Sequence, residues 1–145
     1  MHNDTTTTDT DPRVAALAAH LDVDADEISE GYTLTSLECC GEYLVLTDDE
    51  ADREAAEYIR DSVWAFQAWF IASHCPDGID EDHIATLRGD SCEDCNDAMT
   101  ALIEAGNGMD RFIEDAIGVD GRGHFLNHYD GNEYEEGDYF IYQTN

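Results

Sequence analysis

The side chains best able to do chemistry cluster in one stretch near the C-terminus: Arg122-Gly123-His124, followed by His128, Asp130, Glu133 and Glu135. His124 with Asp130 is the pairing of an imidazole base with an orienting carboxylate, and His124, His128 and Asp130 together offer donors to a metal ion. A small hydrolase or metal enzyme would bring Arg122, His124 and Asp130 into one concave pocket within hydrogen-bond reach. No nucleophile or known motif completes either arrangement. A plainer reading is preferred. Gly121, Gly123 and Gly131 shape turns, Asp130 makes an Asx turn, His124 satisfies backbone carbonyls, and Phe125, Leu126 and Tyr129 anchor the loop. Catalysis is therefore the less favoured expectation.

Cys92-Glu93-Asp94-Cys95 has the two-residue spacing of zinc sites and of redox pairs. Cys39, Cys40, His74 and Cys75, or His124 and His128, are the further donors a zinc ion would need. Cys39-Cys40 and His74-Cys75 are adjacent pairs, however, and two neighbouring residues cannot both ligate one ion without strain. Helical spacing places Cys92 and Cys95 on one face with Met99, Leu102 and Ile103, where free cysteine is commonly buried, so core thiols are preferred over zinc. No other cofactor is expected. Five cysteines without a secretory signal argue for reduced thiols rather than a disulfide framework. The chain carries no phosphate-binding loop, dinucleotide fingerprint or nucleophile elbow.

Charge is the strongest global signal. Six basic residues, all arginine, face 35 acidic ones, and 6 − 35 = −29. The acids are interleaved with apolar positions along the chain rather than gathered in a block, which argues against a disordered acidic tail. Adaptation to molar salt is the preferred cause, and imitation of nucleic-acid phosphates is the alternative. Direct DNA or RNA binding is disfavoured, because six arginines among so many acids cannot build a phosphate-neutralising footprint. A nucleic-acid enzyme with a basic groove could still be inhibited by such a surface, with Asp49, Glu50, Asp52, Glu54, Glu57 and Asp61 as the partner-binding candidates on one helix. No stretch reaches the roughly 18 apolar residues that span a bilayer, and the start lacks the order of a signal peptide; a cytoplasmic location is expected.

These residues must be held by elements that the pattern outlines. Residues 1–10 have no apolar periodicity and read as a tail, leaving 11–145 as one globular domain. Thr10 or Asp11 caps a helix opened by Pro12, with Val14, Leu17, Ala18 and Leu21 on one face. Two short strands follow, at 32–37 and 42–47. Asp48 or Asp49 caps a helix in which Ala51, Ala55, Tyr58, Ile59, Val63 and Phe66 recur at the 3.6-residue period, continuing to about Ser73 with Trp64, Trp69, Phe70 and Ile71 buried. After a turn at Cys75-Pro76-Asp77-Gly78 come three more helices, near 80–87, from Cys92 to Gly106, and from Met109 to just before Gly121. The chain beyond is read as irregular until a last strand, Tyr139–Tyr142, which pairs with Tyr43–Leu46. The fold class expected is α+β, a mainly helical domain packed on a small antiparallel sheet.

Two stretches carry a family likeness: Glu42-Tyr-Leu-Val-Leu-Thr-Asp-Asp-Glu-Ala-Asp52 with Tyr58–Phe66, and Gly121-Arg-Gly-His-Phe-Leu126 through Tyr129-Asp-Gly131 to Tyr139-Phe-Ile-Tyr142. With Phe112–Ala116 between them, they resemble a group of small proteins carried by tailed viruses and proviruses. No activity is attached to that group, so the resemblance implies origin: a viral or proviral accessory protein that binds an unidentified host or viral protein. The cysteine pairs and His128 depart from its usual pattern. The acidic, lysine-free composition is similar to that of haloarchaeal proteins.

A fold carrying −29 should loosen by self-repulsion where the Debye length reaches about 30 Å, near 0.01 M salt. Far-UV circular dichroism and the melting temperature should both rise from dilute buffer to molar salt. Indifference to salt would exclude halophilic adaptation.

Overall fold

The computed structural model describes residues 11–31, 35–89 and 92–145, apart from the Cys92 side chain. The expected tail, the opening of the first expected strand at 32–34, and Asp90-Ser91 lie outside them. The fold is α+β and mainly helical, with a five-stranded antiparallel sheet. In chain order it runs α1 (Pro12–Leu21), β1 (Ser29–Glu30), β2 (Ser36–Glu38), β3 (Glu42–Leu46), α2 (Asp48–Asp61), α3 (Ala68–Ser73), α4 (Glu81–Arg88), α5 (Asn96–Ala105), α6 (Met109–Asp120), α7 (Arg122–Leu126), β4 (Tyr134–Glu136) and β5 (Tyr139–Gln143). Contacts divide the chain into two compact units: the described residues up to Glu54 with Arg122–Asn145, and Ala55–Gly121.

The first unit holds the sheet, in the order β1-β2-β3-β5-β4. The expected pairing of the last strand is present, with Leu44 opposite Tyr142 and Leu46 opposite Phe140. Inward positions of three strands, Leu37, Tyr43, Val45 and Ile141, close on Leu17 of α1, with Val14, Leu21, Tyr134 and Tyr139 around them. The start of α1 follows from its sequence, since Asp11 accepts a bond from the Arg13 N–H at 2.8 Å and Pro12 needs no donor in the first turn.

The helix α2 is capped one residue earlier than the sequence suggests. Thr47 Oγ1 accepts from the Glu50 N–H at 3.3 Å and Glu50 Oε1 accepts from the Thr47 N–H at 2.9 Å, a reciprocal capping box. Asp48 and Asp49 instead lie within the first turn, where they favour the positive end of the helix dipole. Glu50 is also gripped by Arg13, whose Nη1 and Nη2 donate at 2.6 and 2.9 Å while Nη1 reaches the Val45 carbonyl at 2.7 Å.

The second unit departs from the expected continuous helix to Ser73. Helix α2 ends at Asp61, Val63–Ala65 form a 3-10 turn, and α3 restarts the chain. Asn96 supplies the reason, because its Nδ2 donates to the Arg60 carbonyl at 2.8 Å and its Oδ1 accepts from the Trp64 N–H at 3.1 Å. The exposed polar groups of a broken helix are thereby satisfied by a side chain from α5. The break lets Phe66 and Phe70 turn onto Phe112 of α6, with centroids 5.1 Å away in each case. It also turns Trp69, expected in the core, outward to 58 % exposure. At Gly106 a Cβ would sit 2.2 Å from the His74 carbonyl, so only glycine allows the close approach there.

Further differences lie where short elements carry little periodicity. The strand β1 was not expected, and the stretch after Gly121 is not irregular but forms α7 and the β4–β5 hairpin, in which Glu135 faces Phe140. The segment expected as a helix from Cys92 begins as a 3-10 turn, Cys92–Cys95, and becomes α-helical only at Asn96.

Bonding to Arg13 holds the Glu50 carboxyl down from 4.5 to about 2. A group lowered on folding stabilises the fold above its unfolded value and loses that contribution as pH falls. Glu50→Gln should therefore lower stability by about 2 kcal/mol at pH 7. The difference from the parent should shrink between about pH 4.5 and pH 2, as read by urea melts across pH. A difference independent of pH would show that the ion pair contributes nothing.

Candidate functional site

The helix α7 and the loop after it place the polar cluster singled out above. Gly123 is required here, since a Cβ would lie 2.7 Å from the Gly131 carbonyl oxygen and 2.8 Å from the Glu133 nitrogen. The organiser of the loop is a residue the sequence reading passed over. Asn127, 2 % exposed, accepts from the N–H groups of Tyr129 and Asp130 at 3.0 and 2.9 Å and donates to the Asn132 carbonyl at 2.9 Å. Its only signal in the sequence was an asparagine three residues before an Asp-Gly turn.

Arg122 is 11 % exposed and fully engaged. Its Nε donates to Glu133 Oε1 at 2.8 Å, and its Nη1 donates to the Asp48 carbonyl and carboxylate and to Asp52 Oδ1 at 2.9 to 3.0 Å. The guanidinium also lies 4.7 Å above the Phe140 ring. Burial alone would lower its pKa, but the bonds to Glu133 and Asp48 outweigh it and hold the group firmly charged. Tyr142, fully buried, donates its hydroxyl to the same Glu133; burial and that carboxylate push its pKa up.

The other two members of the supposed catalytic set are turned to other work. Asp130 accepts from the Tyr134 hydroxyl and from the Asn132 N–H at 3.0 Å, and these bonds, Tyr134 first, hold its carboxyl below the usual range. His124 is exposed on α7 with its ring against Phe125, and His128 Nε2 lies 3.1 Å from the Phe125 carbonyl. Arg122 and Asp130 thus bond to other partners, and among the described residues no hydrogen bond joins either of them to His124.

The metal candidates are placed as follows. Cys95 is buried in the 3-10 turn before α5, and Cys75 is buried with its thiol on the Ile71 carbonyl. Cys39 and Cys40 form the β2–β3 turn, where burial and the neighbouring Cys40 push the Cys39 thiol up and away from the thiolate that binds metals. His74, 4 % exposed, sits between Asp115 Oδ2 at 2.8 Å and the Phe70 carbonyl at 2.9 Å. Among the described residues, no group of three or more His, Cys, Asp and Glu is arranged to hold a metal ion.

The acidic candidates on α2 divide. Asp49, Glu54, Glu57 and Asp61 are exposed, whereas Glu50 is bound by Arg13 and Asp52 by Arg122. Glu57 and Asp61 stand one turn apart, a repulsive pair that salt would relieve.

One feature of the surface carries no signal in the motifs. Phe66, Gln67, Trp69 and Phe70 line a cleft of about 130 Å³ with Val119 and Asp120 of α6. Trp69 and Val119, 58 and 73 % exposed, are large apolar side chains left open to solvent in a strongly acidic chain. Helical periodicity assigned Trp69 to the core, so the cleft was legible only once the break after Asp61 was known.

No protein-family model, curated protein or solved structure matches the chain.

Replacing Arg122 by Met should destabilise the fold by about 3 kcal/mol, because Glu133, Asp48 and Asp52 lose their shared cation. His124→Ala should change stability by less than about 0.5 kcal/mol, as expected for an exposed side chain. Denaturant melts of the two variants decide it; equal effects would mean that the cluster acts as one unit.

Proposed function

We propose that this chain is a viral or proviral accessory protein that acts by binding a protein partner in a salt-rich cytoplasm, rather than by catalysis. The observation that carries the reading is the cleft beside Trp69, an open apolar feature on a surface otherwise crowded with carboxylates. Exposed apolar clefts with aromatic walls mark sites of association more often than of solvation. A small hydrolase using Arg122, His124 and Asp130 is the less supported reading, since Arg122 is committed to three carboxylates and Asp130 to Tyr134 and Asn132.

Imitation of nucleic acid is the second reading, favoured by the exposed acids Asp49, Glu54, Glu57 and Asp61 along one helix. Against it, two of the six candidate acids on that helix are drawn into internal ion pairs with Arg13 and Arg122. A row of phosphate-like charges would leave them free.

Affinity capture from the lysate of a salt-loving host, at its native ionic strength, separates the readings. A stoichiometric protein partner, retained in the presence of added DNA and released by Trp69→Ala, is expected. Displacement by DNA would favour mimicry, and recovery of no partner would remove the binding reading.

A further inference from the structure

We propose that the cleft between α3 and the C-terminal end of α6 is a binding site for an organic cation, the alkylammonium or alkylguanidinium side chain of a basic partner. This rests on the partner-binding reading and specifies its chemistry. The lining is three aromatic rings, an aliphatic side chain, a carboxamide and a carboxylate, with no basic residue among them. Phe66 and Phe70 are stacked at 5.7 Å, and Trp69 stands at 86° to Phe70 at the same separation. Aromatic walls with a nearby negative charge are the recurring recipe for holding a cation whose stem is apolar.

A second, independent observation comes from α6. This twelve-residue helix ends in Asp120 and has no basic residue in its last turn. The last carbonyls of a helix carry the negative end of its dipole, where lysine or arginine is favoured and a carboxylate is not. Asp120 therefore adds charge to an end that already repels it. A cation seated in the cleft would relieve both.

The chain itself offers few cations. The chain has no lysine, and Arg13, Arg60, Arg88, Arg111 and Arg122, five of its six arginines, are bonded within their own units. Arg88 donates to the Phe66 carbonyl at 2.6 Å but does not line the cleft. Among the described residues, exposed Arg53 is the one arginine a second copy could offer without breaking a bond, so a basic partner is the richer donor. At about 130 Å³ the cleft has room for one side chain rather than a whole helix.

Salt sharpens the case. At 1 M salt the Debye length is about 3 Å, so scattered surface acids cannot select a partner at a distance. Contact between a desolvated cation and ring faces survives such screening.

The test uses the whole protein at a fixed molar salt concentration, titrated with n-butylguanidinium chloride and, separately, with its neutral isostere n-butylurea. Two-dimensional NMR follows the Trp69 indole N–H and the Val119 methyl groups. Saturable shifts at both with butylguanidinium, and binding weaker by roughly tenfold with butylurea, are expected. Asp120→Asn should weaken the cation several-fold and Trp69→Ala should abolish saturation, with circular dichroism confirming that both variants remain folded. Equal binding of the two ligands would overturn the inference in favour of a plain apolar groove, and the absence of saturable shifts at Trp69 would overturn it outright. The titration needs no partner, so it can fail while the capture experiment succeeds, and the reverse.

Discussion

Arginine is the scarce component on which the first unit depends. With 35 acids and no lysine, a cation that serves several acceptors at once is valuable, and a guanidinium suits that role because its donors are fixed in a planar fork. Arg122 binds two carboxylates of α2, the Asp48 carbonyl and Glu133, and covers Phe140; Arg13 binds Glu50 bidentately and caps a carbonyl of β3. Both meet the first turns of α2. That acid-rich helix start would otherwise present four carboxylates, Asp48, Asp49, Glu50 and Asp52, at the end of a strand already paired on both sides. The helix dipole favours the charge, and the two arginines carry most of the rest.

How much of this was legible depended on the range of the interactions. Capping residues and periodicity together located α1, α6 and, to within a residue, the start of α2; Leu17 and Ala18 are buried in the first and Phe112, Ile113 and Ala116 in α6. The pairing of Tyr43–Leu46 with the last strand was legible too, since both are runs of β-formers with few competitors. What failed was non-local. No glycine or proline within residues 48 to 73 marks the break, where Asn96, 36 positions from Arg60, bonds the backbone and the Ser62 hydroxyl bonds back to the Tyr58 carbonyl. The two-residue strand β1 and the short β4 are too brief to show a period, and they form because neighbouring strands offer partners.

The candidate site was legible only in part: the Asx turn at Asp130 was expected and is present. Polar residues from Arg122 to Glu135 were correctly seen as a dense group, but residue types do not reveal which bonds they make. Arg122 turned out to serve α2, Asp130 to tie down Tyr134 and Asn132, and Asn127 to organise the loop from within. A loop that must fold back tightly enough to forbid a Cβ at Gly123 needs these polar groups for its own backbone. Density of chemically able side chains is therefore as consistent with a demanding turn as with catalysis, and the distinction lies in whether their acceptors are already filled.

Acidity and recognition then separate into two tasks. Carboxylates spread over the whole chain act collectively, setting solubility and resistance to association, and their effect is screened within a few ångströms in concentrated salt. Selectivity under those conditions requires groups in contact, where water and ions are excluded and geometry counts. Phe66, Trp69, Phe70, Val119 and Asp120 could make such contacts where the exposed acids of α2 do not: they line one cleft, Phe66 and Phe70 pack against Phe112, and α6 ends there with no basic residue in its last turn. A surface crowded with carboxylates makes such a cleft more conspicuous, and in concentrated salt an apolar side chain would be driven more strongly to be covered than in dilute buffer.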